Sequence, residues 1–183
     1  MTTVNLLMFL LFVSLFGQDP VSQNQRTYKI NQPEALRTVL TEVIEIKKIE
    51  NLQSDNFPQD FAIEVKNISK KPIYFIEIAA ILPKAVPGGM PIGFSLNYGN
   101  SPKLISFDNR PEPTDIPIAP GETGILKGTM GAQGTRKYLE KMMGSSNIET
   151  ALSHVVLWFQ IINFGDGTGY MVGSPYPRQK VSR

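Results

Sequence analysis

The sequence predicts an all-β protein, a single antiparallel β-sandwich with a short helical insertion near residues 135–152. Two stretches carry most of that expectation. Asp60–Leu82 reads DFAIEVKNISKKPIYFIEIAAIL, in which Phe61, Ile63 and Val65 alternate with Ala62, Glu64 and Lys66; this is the two-residue period of a half-buried strand. Asn67–Pro72 supplies turn chemistry and Ile73–Leu82 is an apolar run rich in β-branched and aromatic residues, so the two runs are expected to pair as a hairpin. The second stretch, Val155–Phe164 or VVLWFQIINF, is apolar on both faces and is expected to be a central strand with Trp158 buried in the core.

From the N-terminus, Leu6–Phe16 is apolar apart from Ser14, the length of a signal-peptide core and short of the ~20 residues that a spanning helix needs. Gly17 offers a small residue at a cleavage point before the polar Gln18-Asp19-Pro20, whereas Met1–Asn5 contains no Lys or Arg. Residues 1–17 therefore read as a signal peptide or a retained N-terminal anchor, and residues 18–35 as a polar linker. The domain proper is expected over 36–176. Val43, Ile44, Ile46 and Ile49 among charged neighbours suggest a strand, with a short helix over Pro33–Thr41 as an open alternative. Asn51–Gln59 reads as a loop.

Pro83–Gly121 differs in kind, holding eight of the fourteen prolines. Long central strands are not expected there, because proline removes a ladder donor; only Phe94-Ser95-Leu96 and Leu104–Phe107 look able to pair. Ile118–Glu122 reads as a turn feeding a strand at Thr123–Lys127. Thr135–Met143 is the clearest helix, with Tyr138, Leu139, Met142 and Met143 on the face expected to be apolar and Gly144 as its stop. Ser146 and Glu149 have capping-box spacing. Asp166-Gly167 suggests a two-residue hairpin turn, returning as a strand at Tyr170–Val172. Arg178, Lys180 and Arg183 lie in a basic tail, 177–183.

Composition excludes several chemistries. A net charge of +2 sets up no strong field toward nucleic acid. With no cysteine and one histidine, thiolate catalysis, disulfides, Cys-based metal sites and histidine clusters are all ruled out. Asp166, with Asn163 and Thr168 nearby, is the candidate metal ligand, yet calcium takes six to eight oxygens and a tight turn explains the same residues. Asp108, Glu112 and Asp115 form a sparse acidic group that a carboxylate-dependent hydrolase would have to bring into one cleft; solvated loop charges are the plainer reading. His154 follows Ser153 without a G-x-S-x-G elbow, so a structural role is expected. Asn67-Ile68-Ser69 matches a glycosylation sequon. No catalytic residue and no cofactor is predicted.

The hairpin VKNISKKPI, together with the later APGE turn, resembles bacterial immunoglobulin-like sandwich modules of the FxLYD and CARDB kind. The succession VIEIKK, EVKNISKKPIYF, PIGFSLNYG, PIAPGET and NFGDGTGY is similar to a family of secreted bacterial proteins, over about Thr41–Tyr170. That resemblance implies export, to the periplasm or outside, and an immunoglobulin-like fold; it implies no activity. Phe164-Gly165-Asp166-Gly167 is also similar to the PKD sandwich motif, but too little chain follows it and Asn163 stands where that motif has Asp.

The reading of function follows from the Pro83–Asp115 excursion. Connections in compact domains have a median of about 4–6 residues, and much longer ones are usually functional or disordered. Met90, Ile92, Phe94, Leu96 and Tyr98 argue for order, because a solvated linker would not carry them. The expectation is a binding module of the cell envelope that presents Tyr98, Phe94 and Met90 to an envelope protein or glycan. An accessory subunit held by an uncleaved N-terminal segment is the alternative, and only in that case is membrane contact expected.

Overall fold

The structure, a computed structural model, describes residues 25–31, 39–99 and 102–177. The signal peptide or anchor, most of the linker, the Pro33 end of the alternative helix and the tail beyond Pro177 lie outside the described residues.

The protein is mainly β, with a helical insertion. Its strands are β1 (Thr27–Ile30), β2 (Ile44–Glu50), β3 (Ala62–Asn67), β4 (Phe75–Leu82), β5 (Ile92–Tyr98), β6 (Thr123–Gly128), β7 (His154–Asn163), β8 (Gly169–Met171) and β9 (Ser174–Tyr176). Helices α1 (Met130–Met143) and α2 (Ile148–Ala151) lie between β6 and β7. The strands form one sheet in the order β2-β3-β6-β5-β4-β7-β8-β9, and β1 joins β7 in parallel. β1 falls in the stretch read as polar linker.

The sheet curls around one core, so that Ile44, Ile63, Val65 and Leu126 from one half meet Ile76, Ile78, Leu157 and Phe159 from the other. Among the described residues, two pairs, Leu96↔Gly128 and Asn97↔Lys127, join the halves across β5 and β6. The architecture is thus one curled sheet with a narrow seam, within the expected all-β class.

Asp60–Leu82 is not a hairpin. β3 pairs with β2 and β6, whereas β4 pairs with β5 and β7, so Asn67–Pro72 crosses between the halves. Buried Asn67 shapes the crossing: its amide donates to the carbonyls of Lys71 and Ile118, both at 2.8 Å, and its oxygen accepts from Ser69. Turn residues reverse a chain locally, but burial of both apolar faces decides which strands become neighbours. A fully buried Asn67 also leaves its sequon closed to modification.

Two bulges explain irregular spacing. Register shifts between Ile46 and Lys48, so the buried row of β2 passes from Ile44 and Ile46 to Ile49. In β7 the extra residue is Gln160, whose carbonyl accepts the Val172 N–H at 2.7 Å. Val155, Leu157 and Phe159 face the core before it and Ile162 after it, while Ile161 turns to a second small core with Phe75, Leu104 and Phe107. Trp158, on the outer face opposite Ala79, is only half-buried, which corrects its expected place in the core.

The Pro-rich excursion carries a strand and a 3₁₀ turn among its described residues. It contains the seven-residue β5, longer than the sequence suggested, because its prolines fall outside that strand. Leu104 lies in a 3₁₀ turn (Pro102–Ile105), where a strand was expected. Leu104 and Phe107 are buried, and Phe107 stacks on Tyr176 at 4.2 Å. Asn163 donates to the Leu104 carbonyl at 2.8 Å and the Ser106 carbonyl at 3.3 Å, fastening the excursion to β7. The following hairpin spans Phe164–Thr168 between Asn163 and Gly169, longer than the two-residue turn expected.

Candidate interaction surfaces

The residues predicted to contact a partner lie along β5 but do not form one patch. Phe94 is 5% exposed and stacks edge-on against Phe57 and Phe61, so it belongs to the core and is unavailable for contact. Met90, before the strand, is 74% exposed, and Tyr98 ends the strand half-buried. Six steps of strand at about 3.3 Å each carry the chain from Ile92 to Tyr98, close to 20 Å. Each end opens on a different concavity.

At the first end, a cleft of about 470 Å³ is lined by Ile92, Gly93, Met130, Gly131, Gly134, Thr135 and Tyr138. Helix α1 forms its wall. The helix begins five residues earlier than Thr135, the start expected, and so takes in Gly131 and Gly134, which the sequence signal did not suggest. Its buried row is Ala132, Thr135 and Leu139. Met130, Gly134, Tyr138 and Met142 stand at four-residue spacing, hence on one adjoining stripe. That stripe faces outward: Met130 is 85% exposed, and Tyr138 and Met142 are also exposed. Tyr138 and Met142 were expected on the apolar face with Leu139; only Leu139 and, in part, Met143 meet the core. Gly134 has nothing within contact distance of a built Cβ, so the stripe has a gap between Met130 and Tyr138.

At the second end, a groove of about 380 Å³ is lined by Asn97, Tyr98, Gly99, Ile116, Ile125 and Lys127. The Tyr98 hydroxyl donates to the Ile116 carbonyl at 3.0 Å. Burial of the ring, with Glu122 nearby, lifts the phenol above its ordinary pKa, so it stays protonated as a donor. Ile116 is 76% exposed and Ile125 is exposed on β6. Neither was singled out in the sequence, since isolated isoleucines beside prolines carry no periodic signal.

The acidic candidates are occupied elsewhere. Burial tends to raise the Asp166 pKa, but hydrogen bonds from Lys71 and Thr168 outweigh it and hold the group down at about 2. Lys71 reaches Asp166 at 2.7 Å, and the Thr168 N–H donates at 2.9 Å, the pattern of an Asp-stabilised turn. Asn163, its supposed co-ligand, is buried and engaged with the excursion. Glu112 pairs with Lys103 at 2.6 Å, which lowers its pKa, and Asp115 accepts the Glu112 N–H at 2.8 Å. His154 Nδ1 lies 2.8 Å from the Thr27 hydroxyl where β1 meets β7. Among the described residues no three His, Cys, Asp or Glu side chains gather as a metal site, and no helix is long and apolar enough to cross a membrane.

Comparison with known proteins finds no matching family model, no matching curated protein and no matching solved structure.

Proposed function

We propose that this chain is an exported, non-catalytic interaction module of the bacterial cell envelope, immunoglobulin-like in kind, whose contact surface is the cleft between α1 and the start of β5. The observation that carries the reading is the outward stripe of Met130, Tyr138 and Met142 on α1. Apolar side chains kept at the surface along one face of a helix mark sites of association, and methionines adapt to irregular partners. A protein partner suits this cleft better than a glycan, which would call for polar side chains around an aromatic platform. The engagement of Asp166, Glu112 and Asp115 in turns and ion pairs supports a role without carboxylate catalysis. Export rests on the Leu6–Phe16 run.

The test is affinity purification of the native protein from envelope fractions, comparing wild type with a Met130→Glu/Tyr138→Glu double variant. A partner recovered with wild type and lost with the variant, at equal melting temperature, is the expected result. Identical recoveries overturn the assignment of the cleft. The intact mass of the same material shows whether residues 1–17 are removed.

A further inference from the structure

We infer that the cleft between α1 and β5 takes an amphipathic helix of a partner protein, acidic along one flank, an inference that rests on the contact surface proposed above and adds the shape and charge of what fills it.

The stripe on α1 is open along its length. Met130, Tyr138 and Met142 are exposed, and a Cβ built on Gly134 meets nothing within 4 Å. Twelve residues at about 1.5 Å each carry the stripe from Met130 to Met142, about 18 Å or three turns. Gly134 leaves a gap between larger side chains, one turn from Met130 and one from Tyr138. The fold itself does not require that gap: glycine weakens a helix relative to alanine, and no neighbouring atom forbids a side chain there. Gly93 across the cleft is different, because a Cβ on it would stand 2.6 Å from the Ala80 carbonyl oxygen. With no side chain at either position, the cleft admits a knob from outside.

The backbone of the occupant follows from the walls. Ile92, Met130 and Tyr138 present apolar surface, against which an extended segment would leave its own N–H and C=O groups unpaired. A helix bonds those groups internally. It also shows side chains at three- and four-residue spacing, a rise of about 4.5–6 Å that matches the four-residue spacing of the stripe.

The charge of the occupant follows from the row beside the stripe. Lys137 lies three residues past Gly134 and Lys141 three past Tyr138, so the two lysines border the stripe one turn apart. Both are exposed, and neither enters an ion pair among the described residues. The acids of the helical insertion are held by Arg136 instead: Glu140 stands 3.4 Å from its Nε and Glu149 2.6 Å from its Nη2. Two unpaired cations beside an apolar stripe favour carboxylates on the partner. A second copy of this chain fits poorly, since antiparallel two-fold pairing of α1 with itself would bring like flanks, and so the lysines of both copies, together.

The probe is a phage-displayed library of helix-forming peptides of about fifteen residues, apolar at i, i+4, i+7 and i+11 and random elsewhere, selected against the full chain. Selected peptides should be enriched in Asp and Glu beside their apolar stripe, gain helical circular dichroism on binding, and bind more weakly as salt rises. Gly134→Leu fills the gap without a clash and should weaken binding about tenfold, while the melting temperature holds or rises. Lys137→Glu/Lys141→Glu should also weaken binding about tenfold and select basic peptides in place of acidic ones. Failure to select a peptide, selection without acidic enrichment, binding indifferent to Gly134→Leu, or binding of phosphatidylglycerol vesicles in place of peptide would each overturn the inference. So would native envelope material in which Met130→Glu/Tyr138→Glu loses a partner that Lys137→Glu/Lys141→Glu keeps, and that result leaves the assignment of the cleft standing.

Discussion

Arg26 and Glu149 meet at 2.7 Å although 123 positions separate them in sequence. Arg26 is buried, its guanidinium over the Phe57 ring at 5.1 Å and bonded to the Leu52 and Ser54 carbonyls. Glu149 also takes Arg136 of α1 at 2.6 Å. One carboxylate thereby joins the residue before β1, the β2–β3 loop, α1 and α2. Glu149 has capping-box spacing from Ser146, but no side-chain cap forms at this helix and its carboxylate serves the two arginines instead.

Arg26→Ala should cost about 2–3 kcal/mol, because it strands the part-buried Leu52 and Ser54 carbonyls and halves the arginine support of Glu149. Chemical denaturation checks this. Arg26→Lys should recover little, since an ammonium cannot reach three acceptors and cover a ring together.

Acid should destabilise the protein in a defined window. Burial favours a higher Glu149 pKa, but hydrogen bonds from Arg136 and Arg26 hold it below 4.5, and Asp166 falls from 3.8 to about 2. Carboxyls depressed in the folded state stabilise it above their unfolded pKa, and that contribution is lost as pH falls through the folded value. Melting temperature should therefore hold as pH falls to about 5 and then drop between roughly 4.5 and 2. Both side chains are partly exposed, so solvent screening keeps each share small, and Asp166→Asn should flatten only part of the fall.

The alternation of β7 is open to a paired test. Phe159 is fully buried and Phe159→Ala should cost about 3–5 kcal/mol. Half-buried Trp158 should lose only about 1–2 kcal/mol on truncation to Ala, since much of its area stays in water. Equal losses would contradict the strand's facing.

These contrasts show what a single sequence carries. The β class, the β7 run and the Pro120-Gly121 turn are legible, because each depends on local periodicity or turn chemistry. Partner choice was not: Asn67–Pro72 looks the same whether β3 and β4 pair or separate, and the decision rests with distant residues such as Ile118, bridged to Ile73. The Gln160 bulge left no mark in VVLWFQIINF, so Trp158 was misplaced. At the surface, Met90 is exposed and Tyr98 half-buried, but Phe94 alternates with its neighbours into the core. The place of Met130 at the start of α1 is not legible, because Gly131 and Gly134 disguise the helix's first turns.

Anchoring of the excursion should respond to Phe107. Its removal opens the second core and unstacks Tyr176, so Phe107→Ala should cost about 3 kcal/mol or more. Hydrogen exchange should accelerate across 103–109 and spare β3. Gly169→Ala should act similarly, because a Cβ there would meet the Ile162 carbonyl oxygen and the Phe107 ring.

The central claim, that the α1 stripe is a contact surface, is tested most directly by site-specific photo-crosslinking in cells producing the full chain. A benzophenone amino acid replaces exposed Met130 or, as a control remote from the cleft, exposed Lys70. The account predicts a discrete covalent adduct from position 130, absent at position 70 and abolished by Tyr138→Glu. No adduct at 130, or the same adducts from both positions, would contradict it.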